Sequence, residues 1–212
     1  SGASGSLTLS LPIRIHRFND GRVSVQGTPT DCVHLAVTGV MESWPDMVVS
    51  GINAGANLGG VVWHPGTAAA AMVGRLLGPS SVAISLVGSN PTHYDTAARV
   101  ACDLVARLID NPLESMTILN VNVPDLPYDL LQGYEITRLG TRHCAEPTIR
   151  RQDPRGREIF WIGPAGKEAD AGEGTDFNAI HHDRVSITPL RVDITDHPAI
   201  AGLQSWLSDI KN

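Results

Sequence analysis

The sequence is poor in cysteine and in aromatic side chains. Its 212 residues include three cysteines, and aromatic residues make up 5% of the chain. The cysteines lie far apart and form no Cys-x-x-Cys pair, so we expect neither a disulfide framework nor a zinc site. This usage favours a reducing compartment, and we expect a cytoplasmic protein. With so few aromatic residues, the core must be mainly aliphatic.

Long apolar runs and an excess of basic charge are also lacking. Sixteen Lys and Arg residues face 22 Asp and Glu residues, which gives a formal net charge of −6. That balance argues against a nucleic-acid polymer or an anionic membrane as partner, but it allows one small anionic ligand. No apolar run approaches the ~20 residues of a membrane helix. We expect no signal peptide, and the opening SGASGS without Met indicates a fragment or a processed chain.

Apolar strands alternate with helices in the middle of the chain. Three short apolar runs are typical of strands buried on both faces: 47–49, 82–86 and 118–123. The first of them we expect to be central. Helices follow from Thr67 and from Thr92, where Thr92-x-x-Asp95 resembles a capping box. This order predicts an α/β fold, a mostly parallel sheet with helices on both faces.

The N-terminal region has its own patterns. Residues 7–15 alternate apolar and polar side chains, which predicts a strand with one buried face. Asn19-Asp20-Gly21 predicts a hairpin turn before a short strand at 23–25. Thr28 is suited to cap a helix that begins at Pro29 and runs to about Met41.

The pattern changes after Pro124. The elements predicted there are strands over 134–142, 149–152, 158–162 and 185–190, a loop over 163–183, and a helix over 198–210. We therefore expect an α/β core over residues 1–128, and a β-hairpin with a C-terminal oligomerisation segment over 129–212. The acidic stretch 170–176 could hold a metal, but it does not match a calcium loop and a solvated loop is the favoured interpretation.

The loop SGINAGANLGG at 50–60 is the strongest candidate for a site. Ligands collect beyond the C-terminal ends of parallel strands, and glycines allow close approach of the backbone. The amide oxygen of Asn53 or Asn57 suits a hard cation such as Mg²⁺. Gly66 and Thr67 then open a helix whose N-terminus favours phosphate. The alternative is a tight connection between strand and helix with Thr67 as a cap, but the two asparagines at a spacing of four residues favour a functional site.

The sequence lacks the motifs of several common nucleotide-binding and catalytic sites. The loop matches neither GxGxxG nor GxxxxGK[ST], which disfavours a dinucleotide site and a Walker loop. There is no HExxH zinc motif and no GxSxG nucleophile elbow in the chain.

Nine segments, in order over nearly the whole chain, resemble the SurE (survival protein E) family. They are SGAS at 1–4 followed by SLTL, GTPTDCV at 27–33, PDMVVSGINAGANLG at 45–59, the GTAAAAM segment at 66–75, LNVNVPDLP at 119–127, GTRH at 140–143, RQDPRGREIFWIGP at 151–164, GTDFNAI at 174–180 and VSITPLRVDIT at 185–195.

The resemblance implies a fold and an activity. SurE proteins are divalent-metal-dependent phosphatases of nucleoside 5′-monophosphates, with 3′-nucleotidase and exopolyphosphatase activities also expected. Their fold is a Rossmann-like domain with a β-hairpin and a C-terminal segment exchanged between subunits, which implies a homodimer or homotetramer. The family's metal, Mg²⁺ or Mn²⁺, is held by an Asp-Asp pair and by residues that correspond to Ser1 and Asn53. Asn57, Gly66 and Thr67 match its phosphate-side residues.

Departures from the family pattern fall on the site. The Asp-Asp pair does not occur in these residues, Gly60-Val61 replaces an acidic pair, and Pro65 replaces a serine. One Ser oxygen and one Asn oxygen form a weak shell for a divalent cation, so we expect these 212 residues alone to be inactive. Two hypotheses follow. The protein is a metal-dependent 5′-nucleotidase, or it is a non-catalytic relative that binds nucleotides or serves as an oligomeric scaffold.

Overall fold

The computed structural model describes residues 4–114, 116–143 and 147–207. The strands in these residues are β1 (Ile15–Arg17), β2 (Val23–Val25), β3 (Met47–Ala54), β4 (Ser80–Leu86), β5 (Thr117–Val123), β6 (Tyr134–Ile136), β7 (Thr141–Arg142), β8 (Ile149–Gln152), β9 (Glu158–Trp161), β10 (Glu168–Asp170) and β11 (Val185–Arg191). The helices are α1 (Pro29–Leu35), which continues as a π-helical turn over Ala36–Val40, then α2 (Gly66–Leu76), α3 (Tyr94–Asp110), α4 (Asp176–His181) and α5 (Ala199–Leu207).

A five-stranded sheet organises the fold, with strand order β3-β4-β5-β11-β6. Strands β3, β4 and β5 are parallel, β11 runs antiparallel to β5, and β6 is parallel to β11. Val100 of α3 packs against Val121 and its neighbours on one face. Ala71 of α2 packs against Ala83 and Ile118 on the other. The predicted α/β architecture with helices on both faces is confirmed.

Side-chain capping explains where α1 begins. The Thr28 side chain accepts from the Asp31 N–H, and the Asp31 carboxylate accepts from the Thr28 N–H at 2.8 Å. The same carboxylate accepts from the Thr8 N–H at 2.8 Å and the Thr8 hydroxyl at 2.7 Å. Asp31 therefore closes the capping box and fastens the N-terminal segment to α1.

The prediction of a strand over residues 7–15 was wrong. Of these residues only Ile15 lies in a strand, and Leu9 and Leu11 are 88% and 71% exposed. The backbone N–H of Thr8 is bonded to the Asp31 carboxylate rather than to a neighbouring strand. The predicted β1–β2 hairpin is confirmed, with Gly21 at φ +86° in its turn.

Strand β3 is not central among the described strands. It pairs with β4 alone and lies at an edge of the sheet, and Val49 is 45% exposed. An apolar run of three residues cannot distinguish a central strand from an edge strand, since that depends on the neighbours the chain supplies.

The prediction of a capping box at Thr92 was also wrong. Helix α3 has His93 as its N-cap, with no side-chain cap. The Asp125 carboxylate accepts instead from the Thr92 N–H, the His93 N–H and His93 Nδ1, at 2.9, 2.8 and 2.8 Å. Asp125, two residues beyond the end of β5, thus accepts the Thr92 N–H that the predicted capping box assigned to Asp95.

The loop predicted over 163–183 contains two elements, β10 and α4. Strand β10 pairs with β7, and Thr175 caps α4 by accepting from the Asn178 N–H. Asp176, assigned to a solvated loop, is wholly buried. Among the described helices none has the length and apolar content to cross a membrane.

Candidate functional site

The C-terminal ends of three parallel strands define one edge of the sheet. Ala54 of β3 pairs with Leu86 of β4, and Leu86 pairs with Val123 of β5. Beyond this edge the chain of β3 continues through residues 55–65 into α2, and the Gly55 N–H donates to the Leu86 carbonyl at 2.9 Å. The loop singled out in the sequence therefore lies where open α/β sheets bind ligands.

A buried polar network fixes this loop against the sheet. The Asn57 N–H donates to Asn122 Oδ1 at 2.8 Å, and the Asn57 carbonyl accepts from Nδ2 of Asn120 and of Asn122 at 2.9 and 3.1 Å. Asn57 Nδ2 donates to Ser85 Oγ at 2.7 Å. Asn57 thus holds the loop through its backbone and through its side-chain Nδ2, and its expected contact with phosphate stays a prediction.

Asn53 presents an oxygen at the end of β3. Its side chain is half-buried, and Nδ2 donates to the Gly55 carbonyl at 2.9 Å. That bond orients the amide and leaves Oδ1 without a hydrogen-bond donor among the described residues. Such an oxygen can serve as one ligand of a hard cation.

Helix α2 begins with an open N-terminus. Pro65 is its N-cap and makes no side-chain capping bond. The N–H groups of Gly66 and Thr67 therefore have no acceptor within the described part of the chain, and the helix dipole adds partial positive charge there. Gly66 packs tightly against α1, because a Cβ at this position would lie 2.6 Å from Pro29 Cγ.

The N-terminal segment reaches the start of α2. Ser4 donates from its N–H and its hydroxyl to the His64 carbonyl, at 3.2 and 3.3 Å. The Thr30 hydroxyl donates to the Ser4 carbonyl at 3.4 Å. Ser1, the other expected metal ligand, lies outside the described residues.

A cation site is not complete in the described residues. They contain no group of three or more His, Cys, Asp or Glu side chains placed to hold a metal ion. Asn53 Oδ1 is a suitable donor, but a single neutral oxygen is too few for Mg²⁺ or Mn²⁺, which take about six ligands. The residues described do not by themselves fit the cation that the resemblance implies.

Asp176 is a structural residue of the site that sequence reasoning missed. Its Oδ2 accepts from the Gly59 N–H at 2.6 Å, and its Oδ1 accepts from the Gly140 N–H at 2.8 Å and the Phe177 N–H at 3.0 Å. It therefore joins the loop after β3 to the segment before β7. The signal was Thr175-Asp176 ahead of Phe-Asn-Ala-Ile, a pattern typical of a helix start.

A cleft opens between these two joined segments. It has a volume of about 450 Å³ and is lined on one side by residues of the 60–64 turn, including His64, and on the other by residues 139–142. A larger cleft of about 640 Å³ lies near Glu135, Glu173 and Arg184, with two carboxylates in its lining. The smaller cleft has no carboxylate in its lining and adjoins the start of α2, so it suits an anionic ligand better.

A family model described as "Survival protein SurE" matches residues 1–146. The chain belongs to the SurE family. A 5′-nucleotidase SurE from Coxiella burnetii (strain RSA 331 / Henzerling II) is 58% identical over 211 residues, which cover 100% of this chain and 82% of that protein. A 5′-nucleotidase SurE from Halorhodospira halophila is 59% identical, covering 99% of this chain and 84% of that protein.

A solved SurE structure agrees with the fold. The SurE protein from Aquifex aeolicus superposes with a TM-score of 0.84 at 36% identity, covering 96% of this chain and 84% of that one. The Rossmann-like α/β fold expected from the resemblance is therefore confirmed.

Proposed function

We propose that this SurE family member hydrolyses nucleoside 5′-monophosphates to a nucleoside and inorganic phosphate, using Mg²⁺ or Mn²⁺. The names of the Coxiella and Halorhodospira relatives support a 5′-nucleotidase. The observation that carries the proposal is the open N-terminus of α2, which lies beyond the aligned ends of three parallel strands. Phosphate binds well at such a helix end.

In this proposal the phosphate lies against the N–H groups of Gly66 and Thr67. Asn57 lies on the phosphate side and keeps the loop in place, while Asn53 Oδ1 and Ser1 act as two of the metal ligands. A divalent cation held there would supply positive charge near the phosphoryl oxygens. The described residues bind and orient the phosphate, and the N–H groups stabilise the charge that develops as water attacks phosphorus and the ester P–O bond breaks. The departing nucleoside oxygen takes up a proton.

Because the proposed contacts are to phosphate, we extend the proposal to 3′-monophosphates and short polyphosphate. A panel of these compounds and the four common 5′-monophosphates tests it, with phosphate release measured in Mg²⁺ and in Mn²⁺. Release from the 5′-monophosphates alone would restrict the activity to the narrower class.

A nucleotide-binding or scaffold protein without turnover is the second candidate. The incomplete donor set around Asn53 and the replacements at Gly60, Val61 and Pro65 favour it. Nucleotide binding without phosphate release from the intact protein would support it over the enzyme.

Exposed apolar side chains support a homodimer or homotetramer. No residue of α5 is buried, and Trp206 is 69% exposed. On the β8–β9 hairpin Trp161 is 63% exposed. We propose that a second copy of the chain covers these surfaces, since apolar patches of this kind mark interfaces.

A further inference from the structure

Arg142 is a half-buried cation with few partners. Its guanidinium carbon lies 4.7 Å from the centre of the Phe177 ring, and Nη1 donates to the Gly166 carbonyl at 3.2 Å. Its Nε is buried and has no hydrogen-bond partner, and no carboxylate pairs with it among the described residues. By contrast, Arg138 on the same segment pairs with Asp170. A half-buried cation without a counter-charge costs free energy. Nη2 makes no hydrogen bond among the described residues, so an acceptor-rich ligand would recover part of this cost at Nη2 rather than at the buried Nε.

The charges of the residues that line the cleft beside Arg142 suit such a ligand. Its lining comprises Gly60, Val61, His64, Leu139, Gly140, Thr141 and Arg142. The lining therefore contains a guanidinium and an imidazole and no carboxylate, in a chain whose net charge is −6. Val61 and Leu139 add apolar walls, which suit a flat ring better than a hydrated phosphate group.

The walls of the cleft are held together firmly. Gly59 has φ +61°, and a Cβ there would lie 3.0 Å from both the Gly140 carbonyl oxygen and the Phe177 ring. At Gly140 a Cβ would meet the same ring at 2.4 Å. The two glycines permit this close packing, and Asp176 bonds to the N–H groups of both. Arg142 thus projects from a preorganised support.

His64 lines the cleft and lies just before the proposed phosphate site at the start of α2. His64 precedes Gly66 by two residues, so their Cα atoms are separated by at most about 7 Å. With its phosphate at the start of α2, a nucleoside monophosphate can extend its base across His64 towards Arg142. Its only phosphate is then already bound, and the acceptors left for Arg142 are those of the ribose and of the base, of which the base can lie flat between the apolar walls.

We propose that Arg142 reads the base and selects 6-oxopurines, guanine and hypoxanthine, over adenine and uracil. The parallel N–H donors of an arginine match the adjacent O6 and N7 acceptors of a 6-oxopurine. Adenine presents an amino group in place of O6, so one donor would face another donor. This inference rests on the proposed function, because it assumes that the phosphate binds at Gly66 and Thr67.

Calorimetric binding of GMP, IMP, AMP and UMP to the intact protein tests the inference. Wild type should bind GMP and IMP about tenfold more tightly than AMP and UMP. Arg142→Met keeps the aliphatic stem but removes the guanidinium that lies over Phe177. It should remove that preference, weakening GMP and IMP about tenfold while changing AMP and UMP less than about threefold. Arg142→Lys keeps the charge but loses the paired donors, so it should also lose most of the preference. Arg155→Met, at the exposed β8–β9 turn, is the matched control and should change nothing.

Equal weakening of all four nucleotides by Arg142→Met, with Arg142→Lys like wild type, would overturn base reading and make Arg142 a contact to phosphate or ribose. A wild type with no preference for GMP over AMP would overturn it too. Phosphate release from GMP and AMP in Mn²⁺ separately tests the proposed function. Its failure together with a base preference in binding would leave the inference about Arg142 standing and reject the enzyme.

Discussion

Asp176 and Gly59, 117 positions apart, are joined by a hydrogen bond of 2.6 Å from the glycine N–H to the carboxylate. The same carboxylate accepts from Gly140 and Phe177. A single buried side chain therefore connects the loop after β3 with the segment that carries Arg142. The candidate site depends on this connection, because the loop and the segment form the two walls of the cleft.

Asp176→Ala should lower the free energy of unfolding by about 3 kcal/mol or more, because three buried N–H groups lose their acceptor. Urea unfolding checks the loss. Asp153→Ala is the matched control: Asp153 also accepts two backbone N–H groups, those of Arg155 and Arg157, but in an exposed turn. Its loss should be much smaller, and equal losses would contradict the role given to Asp176.

The Asp31 carboxylate should make stability depend on pH in the acid range. Burial raises the pKa of Asp31, but hydrogen bonds from Thr8 and Thr28 outweigh that effect and lower it from 3.8 to about 2. A carboxyl whose pKa is lower in the folded state adds stability above pH 4, and this stability is lost as the pH falls from 4 through 2.

The contribution should be about 1–2 kcal/mol, so the free energy of unfolding of wild type should fall between pH 5 and pH 2 by about that much more than that of Asp31→Asn. Urea titrations at several pH values measure the difference. Parallel curves for the two proteins would show that Asp31 does not fasten the N-terminal segment as described.

Phosphate should bind at the start of α2. A crystal soaked in phosphate should show the anion within hydrogen-bond reach of the N–H groups of Gly66 and Thr67, and close to Asn57. Thr67→Pro removes one of these donors while suiting the first turn of a helix, so it should weaken phosphate binding with little effect on α2. An empty loop in a crystal that binds anions elsewhere would reject the site.

The exposed apolar side chains of the hairpin and of α5 should be covered in solution. Light scattering at micromolar concentration should give a dimer or a larger assembly, and replacing Trp161 or Trp206 by Ser should weaken it. A monodisperse monomer of the wild type would refute this prediction.

The fold was largely predictable because its signals are local. The apolar runs at β4 and β5, the turn at Gly21 and the cap at Thr28 each depend on residues a few positions apart. The failures depend on distant partners: Thr8 bonds to Asp31 instead of to a strand, and Asp125 accepts the Thr92 N–H in place of Asp95, the expected partner in the capping box.

The site was predictable in part for the same reason. Asn53, Gly66 and Thr67 follow a strand or open a helix, which the sequence reveals. Asp176 and Arg142 acquire their importance from contacts with segments far away in the chain. The residues around Asp176 indicate the start of a helix, but they do not indicate its bonds to Gly59 and Gly140. The polar network around Asn57 did leave one signal in the sequence, because Asn120 and Asn122 interrupt the otherwise apolar strand β5.

The most direct test of the central claim is phosphate release from a nucleoside 5′-monophosphate by the intact protein in Mn²⁺, for wild type, Asn53→Ala and Asn53→Asp. Asn111→Ala, at the exposed end of α3, is the control. We predict release by wild type and by the control, a loss of about tenfold or more in Asn53→Ala, and partial activity in Asn53→Asp, which keeps an oxygen ligand. No release by wild type, or full activity in Asn53→Ala, would contradict a metal-dependent nucleotidase centred on this loop.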